Sequence, residues 1–89
     1  MRRLVPEKAV LKEISDLPAK QFRQVVVAIF DLLQEPYPHY SLRLQGSPYW
    51  RLAVGEYRVI YRADEESVHL VAFGKRNDGE VYKALSRKM

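Results

Sequence analysis

Tyr49-Trp50-Arg51-Leu52-Ala53-Val54-Gly55-Glu56-Tyr57-Arg58-Val59-Ile60-Tyr61-Arg62 is the stretch in which the chain changes its period. Upstream, apolar residues recur at helical spacing; here they alternate, and alternation along a strand sorts side chains onto opposite faces. Trp50, Leu52 and Val54 fall on one face, and Tyr49, Arg51 and Ala53 on the other. Gly55-Glu56 reads as a turn, after which Tyr57, Val59 and Tyr61 make one set while Arg58, Ile60 and Arg62 make the second. The apolar sets are expected to share a face covered by helices, which leaves Arg51 and Arg58 together on the open face.

Downstream, Asp64-Glu65-Glu66-Ser67 makes the next turn, and the β-branched and aromatic run Val68-His69-Leu70-Val71-Ala72-Phe73 reads as a third strand that returns to Gly74. Asn77 with Glu80 three residues on has the spacing of a capping box, so a helix is expected to begin there and to carry Val81, Ala84 and Leu85 on one stripe. Tyr82 sits at the edge of that stripe. A strand end thus delivers Lys75 and Arg76, and the following helix delivers a phenol beside them. Cations and a polarisable hydroxyl converging on one spot suit a phosphodiester.

Upstream, Arg2 to Val5 reads as a short opening strand. Proline is tolerated in the first helical turn, and Val10, Leu11, Ile14 and Leu17 then recur at helical spacing, which predicts a helix from about Pro6 to Leu17. Leu17-Pro18 interrupts it, because the residue before proline avoids the helical region. Phe22, Val25, Val26, Ile29 and Leu33 make the stripe of a second helix, widened by Phe30 and Leu32 and ended before Pro36. Pro36-Tyr37-Pro38-His39-Tyr40 is a stiff loop, Ser41 to Gly46 a short extended piece, and Gly46-Ser47-Pro48 a turn. The predicted fold is α+β in one domain spanning 1–89: an N-terminal helix hairpin packed on a small antiparallel sheet, with a C-terminal helix.

The 89 residues are expected to bury roughly 60% of their unfolded surface. Fifteen lysines and arginines against 11 acidic residues give a formal charge of +4, a balance that favours polyanions or an acidic protein partner. The absence of cysteine excludes disulfides and thiolate metal sites. The longest apolar run, Val25 to Phe30, is far too short to cross a membrane, and the basic start Met1-Arg2-Arg3 leads into no apolar signal core. A cytoplasmic protein is expected. His39 and His69 lack metal-like spacing, and no metal or cofactor is expected. Trp50 is assigned to the core.

The motif Arg51-Leu52-Ala53-Val54-Gly55-Glu56-Tyr57-Arg58-Val59-Ile60-Tyr61-Arg62, followed by Gly74-Lys75-Arg76-Asn77-Asp78-Gly79-Glu80-Val81-Tyr82, resembles the RelE/ParE superfamily of type II toxin–antitoxin toxins. The resemblance runs from Leu4 to about Leu85 and implies the RelE-like microbial RNase fold. Its RelE branch implies a toxin that enters the ribosomal A site and cuts messenger RNA without a metal ion. There, arginines at the positions of Arg58 and Arg76 and the tyrosine at that of Tyr82 form the catalytic set. Arg51, Arg62, Lys75 and Lys83 are the further candidates for RNA and phosphate binding. An acidic, RelB-like antitoxin is the implied protein partner. RelE toxins often carry lysines where this chain has Tyr49 and Arg51, one of them a candidate general base. Arginine does not fill that role, so the base is left open between Lys75 and Tyr82. The alternatives are the ParE activity on the same fold, a non-enzymatic poison of DNA gyrase, and a catalytically weakened RNA-binding homologue.

Overall fold

A computed structural model describes residues 1–76 and Tyr82. The elements run β1 (Arg3–Pro6), α1 (Lys8–Ser15), α2 (Ala19–Gln34), β2 (Ser41–Arg43), β3 (Trp50–Val54), β4 (Tyr57–Ala63) and β5 (Ser67–Lys75). The five strands form one sheet in the order β1-β5-β4-β3-β2.

The expected sheet is antiparallel, and for β2 to β5 the pairing is so; β1, however, pairs parallel to β5, from Arg3 opposite Ser67 to Pro6 opposite Leu70. The sheet is therefore mixed. A parallel partner cannot be reached through a tight turn and needs a crossover, and here both helices and the meander lie between the two strands. The backbone bonds Arg3 N to Glu66 O at 2.8 Å and Glu7 N to Leu70 O at 3.0 Å carry the β1–β5 ladder past its ends. Pro6 belongs to this ladder, so α1 starts two residues later than its proline suggests. It ends at Ser15, with the Asp16 amide bonded to Lys12 O.

α2 begins immediately after Pro18, whose carbonyl accepts the Phe22 amide at 2.9 Å, and stops before Glu35-Pro36. Its buried residues are Val25, Ile29, Leu32 and Leu33, at helical spacing. They meet Val10 and Ile14 of α1 and a strand set of Leu52, Val59, Tyr61, Val68, Leu70 and Phe73 in one cluster, with Trp50, Val54 and Tyr57 packed at its margin. The alternating residues of β3 and β4 thus share the helix-covered face, as their period requires. Each fully buried aliphatic side chain contributes roughly 1.5–3 kcal/mol. The predicted α2 stripe is wider than the buried one: Phe22 and Phe30 are exposed, at 38% and 56%. With Leu4, Pro6, Leu11, Ile14, Val26, Ile29 and Leu70 they line an apolar groove of about 140 Å³.

Tyr61 ties the Pro36–Tyr40 loop to the core. It is fully buried, and its hydroxyl donates to Pro36 O at 2.6 Å. Burial pushes its phenol pKa above the usual value. Beside it Tyr37 donates to Ala63 O at 3.2 Å and stacks obliquely on Trp50 with ring centroids 4.7 Å apart.

The opposite face is not simply open. Ile60, Val71 and Ala72 are buried there as a second small cluster, with Leu44 and Tyr49 packed against them. A β-bulge makes it possible: Ile60 pairs with Ala72 but Tyr61 pairs with Leu70, which leaves Val71 as the extra residue of β5.

Candidate nucleic-acid-binding site

Arg51 on β3 stands opposite Ile60 of β4, and Arg58 on β4 stands between Ala53 of β3 and Gly74 of β5. Arg51 and Arg58 are therefore diagonal neighbours on the face away from the main core, at a separation of about 7–8 Å for such pairs. Because a methyl and a hydrogen flank Arg58, no bulky side chain competes for the space around its guanidinium. The Arg76 amide donates to Glu56 O at 2.7 Å, continuing the ladder one pair beyond Tyr57 opposite Lys75. Arg76 itself is an exposed turn residue just past the end of β5, anchored beside Arg58's turn by this bond.

The guanidinium of Arg58 is held. Its Nη1 donates to Tyr57 O at 2.8 Å and to Gly55 O at 3.1 Å, so both hydrogens of that nitrogen are used. Nε and Nη2 hold three further N–H groups, and a guanidinium presents these in a fixed planar fork suited to two phosphate oxygens. Tyr82 is helical and exposed, and its hydroxyl accepts a bond from Arg51 Nη1 at 3.5 Å, the long end of the hydrogen-bond range. That contact brings the phenol to the arginine face, linking two residues whose separation in the sequence offers no hint of it.

The other sequence candidates are distributed differently. Arg62 lies on the same face, opposite His69, but four residues along β4 from Arg58, which is roughly 13 Å at 3.3 Å per residue. Lys75 stands opposite Tyr57, whose ring stacks on Phe73 at 5.3 Å, so alternation turns Lys75 to the helix side of the sheet, away from Arg58. Lys83 and the capping box Asn77 to Glu80 lie outside the described residues.

Among the described residues the contact within 4.0 Å that can form an ion pair is His69 Nε2 with Asp64 Oδ2, at the β4–β5 end; Arg51, Arg58 and Arg76 meet no described carboxylate within that distance, while Arg62 adds to the field on Asp64. The Asp64 carboxylate accepts the amides of Glu66 and Ser67, each at 2.8 Å, and these bonds hold its pKa below the usual carboxylate value. Among the described residues no group of three or more His, Cys, Asp and Glu side chains is placed to hold a metal ion. No helix there is long and apolar enough to cross a membrane.

Sequence reasoning missed two things. One is the buried floor of Ile60, Val71 and Ala72 from which the arginines rise; the continuous apolar run Leu70 to Phe73 was its signal, since a strand buried on one face only would alternate. The other is the pair of turn carbonyls that hold Arg58 and Arg76, whose trace in the sequence is a single glycine, Gly55.

Comparison with known structures places the fold. The isolated E. coli RelE toxin is 25% identical over all of both chains, with a TM-score of 0.75. A mutant of E. coli RelE in the free state superposes with a TM-score of 0.80 at 23% identity, covering 99% of this chain and 98% of that one. RelE in the archaeal RelE–RelB complex of Pyrococcus horikoshii OT3 is 25% identical, with a TM-score of 0.75 over 84% of this chain and 94% of that one. Comparison with curated proteins gave no match. The family model described as the ParE toxin of type II toxin–antitoxin system, parDE, matches residues 5–79. That match spans most of the chain, and the chain accordingly belongs to the ParE toxin family, within the RelE/ParE superfamily of type II toxins.

Proposed function

We propose that this toxin is a ribosome-dependent endoribonuclease of the RelE kind, cutting messenger RNA in the ribosomal A site. The observation that carries the reading is the placement of Arg51 and Arg58 on one sheet face, with the Tyr82 hydroxyl 3.5 Å from Arg51 and the Arg76 amide anchored to Glu56 O in the adjoining turn. RNA cleavage by internal attack has three requirements. The 2′-hydroxyl loses a proton as its oxygen bonds to the adjacent phosphorus, the phosphorane charge is stabilised, and the departing 5′-oxygen gains a proton as its bond to phosphorus breaks. The products are a 2′,3′-cyclic phosphate and a 5′-hydroxyl.

Arg58 is assigned to the phosphorane, gripping its non-bridging oxygens with Nε and Nη2 while Nη1 stays on the two carbonyls. Arg76 stabilises the same charge or stands at the leaving oxygen. Tyr82 orients the nucleophile or stacks on a base. Arg51 binds phosphate, and Arg62 meets the strand farther along. With Lys75 turned toward Tyr57, Tyr82 is the better placed of the two candidates for handling the nucleophile's proton.

The protein partner in this reading is an acidic antitoxin. Solved relatives occur as toxin–antitoxin complexes, among them E. coli RelBE and the Mycobacterium tuberculosis RelBE2 complex, and the formal charge of +4 favours an acidic binder. Cytoplasmic location follows from the ribosome as target. Toeprinting of translating ribosomes with added protein tests the proposal: codon-linked cuts are expected, and their absence at any concentration that halts growth refutes it. The match to the ParE model favours a second reading, inhibition of DNA gyrase. A supercoiling assay separates the two, since a nuclease leaves gyrase untouched.

A further inference from the structure

Val54 and Tyr57 pair directly, so β3 and β4 are joined by Gly55 and Glu56 alone. Gly55 has a φ of +58°, and among the described residues no other than glycine takes a positive φ. A glycine with positive φ at the first central position, followed by a residue with negative φ, is the type II′ pattern, whose twist matches that of the flanking strands. Types II and II′ are mirror images. The hand of the turn therefore decides to which side the peptide between Gly55 and Glu56 directs its carbonyl. Here Gly55 O receives Arg58 Nη1 at 3.1 Å, and the very next carbonyl, Glu56 O, receives the Arg76 amide at 2.7 Å.

We infer that the Gly55-Glu56 turn is a positioning element for the nuclease site: its two consecutive carbonyls hold the Arg58 guanidinium and the Arg76 backbone in fixed relation before RNA arrives. The inference rests on the RNA-cutting reading for its catalytic consequence, though not for its geometry. An arginine side chain is long and loses much rotamer freedom when it docks. Fixing Nη1 on two carbonyls removes that cost from the binding step and leaves Nε and Nη2 outside those two bonds. Glu56 contributes through its main chain, so its side chain is dispensable here. Gly55 is required by its φ and not by lack of room, because a Cβ placed on it meets nothing within 4 Å.

Gly55→Ala and Gly55→Asn test this, because both add a side chain into open space while asparagine is accepted at the positive-φ positions of primed turns far better than alanine. The first readout is the NMR signal of the Arg58 guanidinium. In the parent and in Gly55→Asn it is expected to show resolved, slowly rotating Nη protons; in Gly55→Ala those signals are expected to average. The second is cleavage on programmed ribosomes, with Gly55→Ala expected to lower kcat on the order of 10-fold or more, KM changing less, and Gly55→Asn to recover much of the loss. Thermal melts on the same samples identify any variant that fails to fold, and for such a variant Gly55→Asn against the parent supplies the comparison. The inference is overturned if a folded Gly55→Ala keeps resolved guanidinium signals, or if the parent itself shows none. A parent with resolved signals that cuts no RNA refutes the proposed activity and leaves the positioning geometry standing.

Discussion

Replacing Arg58 with lysine keeps the charge and removes the fork, which makes it the most informative single change at this site. In the structure Nη1 spends its two hydrogens on Tyr57 O and Gly55 O, at 2.8 and 3.1 Å. Three N–H groups are left for phosphate, enough for a bidentate grip. A lysine ammonium has three hydrogens in all. If it keeps the two carbonyls it offers one to the phosphate; if it turns to the phosphate it abandons the anchors, and its position is no longer defined. Either way at least one donor to the developing charge is lost, and one such donor is worth about 2.7–4 kcal/mol, or 10²–10³ in kcat. Arg58 is half-buried and lies outside the main core cluster, so the melting temperature is expected to stay within a few degrees (about 4–8 °C per kcal/mol for a domain of this size). The assay is single-turnover cleavage of messenger RNA on stalled ribosomes, with Arg58→Ala beside it. Arg58→Lys cutting within about threefold of the parent would mean that a point charge suffices, at under 1 kcal/mol, and would refute the bidentate assignment.

Four further outcomes are expected. Tyr61→Phe removes the 2.6 Å bond to Pro36 O inside the core and leaves that carbonyl without its donor, so it should cost roughly 1–3 kcal/mol in urea unfolding; an unchanged midpoint would show that the loop does not depend on this bond. Arg51→Lys introduces a group that can lose a proton where arginine cannot, and cleavage is expected to rise, toward the roughly 10²-fold lower end of general-base contributions; a fall would show that Arg51 acts as a fixed cation. Tyr82→Phe should lower the cleavage rate by about 10-fold or more if the hydroxyl handles a proton, whereas parental cutting would leave stacking as its role. The Asp64 carboxylate is held below its usual pKa by the Glu66 and Ser67 amides. Its stabilising effect is therefore complete above the unfolded value of about 3.9 and fades as pH falls through the lower folded value. The Glu66 and Ser67 amide shifts should report this transition below about pH 4, and a midpoint at or above the unfolded value would contradict the two bonds.

What was legible in the sequence was what depends on side-chain periodicity. Trp50, Leu52 and Val54 with Tyr57, Val59 and Tyr61 alternate cleanly, and the helix-covered face collects them all. Pro18 and Pro36 bracket α2 because proline is excluded from a helix interior. Less was legible where backbone geometry or tertiary competition decides. Four residues of β1 carry no mark of direction, so its parallel pairing to β5 was invisible. Phe22 and Phe30 belong to the predicted stripe yet stay exposed, while Leu32 of the same stripe is buried, because a sheet of limited width accepts only part of a wide stripe. At the site, alternation placed Arg51 and Arg58 on one face correctly, while the bulge at Val71 and the carbonyl anchors of Arg58 are main-chain features with no side-chain signature.

The two faces of the sheet carry different burdens. The helix-covered face holds nearly all the large buried side chains and carries the stability, so it constrains the sequence through packing. On the other face Ile60, Val71 and Ala72 form a small buried patch, covered in part by Leu44 and Tyr49. Charges beside an apolar patch act through a lower effective dielectric than charges on a fully wet strand, and among the described residues Arg51, Arg58 and Arg76 have no carboxylate within 4.0 Å, which leaves that field for an incoming anion. Changing what this face does therefore requires altering a few exposed side chains and need not disturb the core. Fold similarity to RelE and a match to the ParE family model are compatible for that reason, and the chemistry is decided by the residues standing on Ile60's side of the sheet.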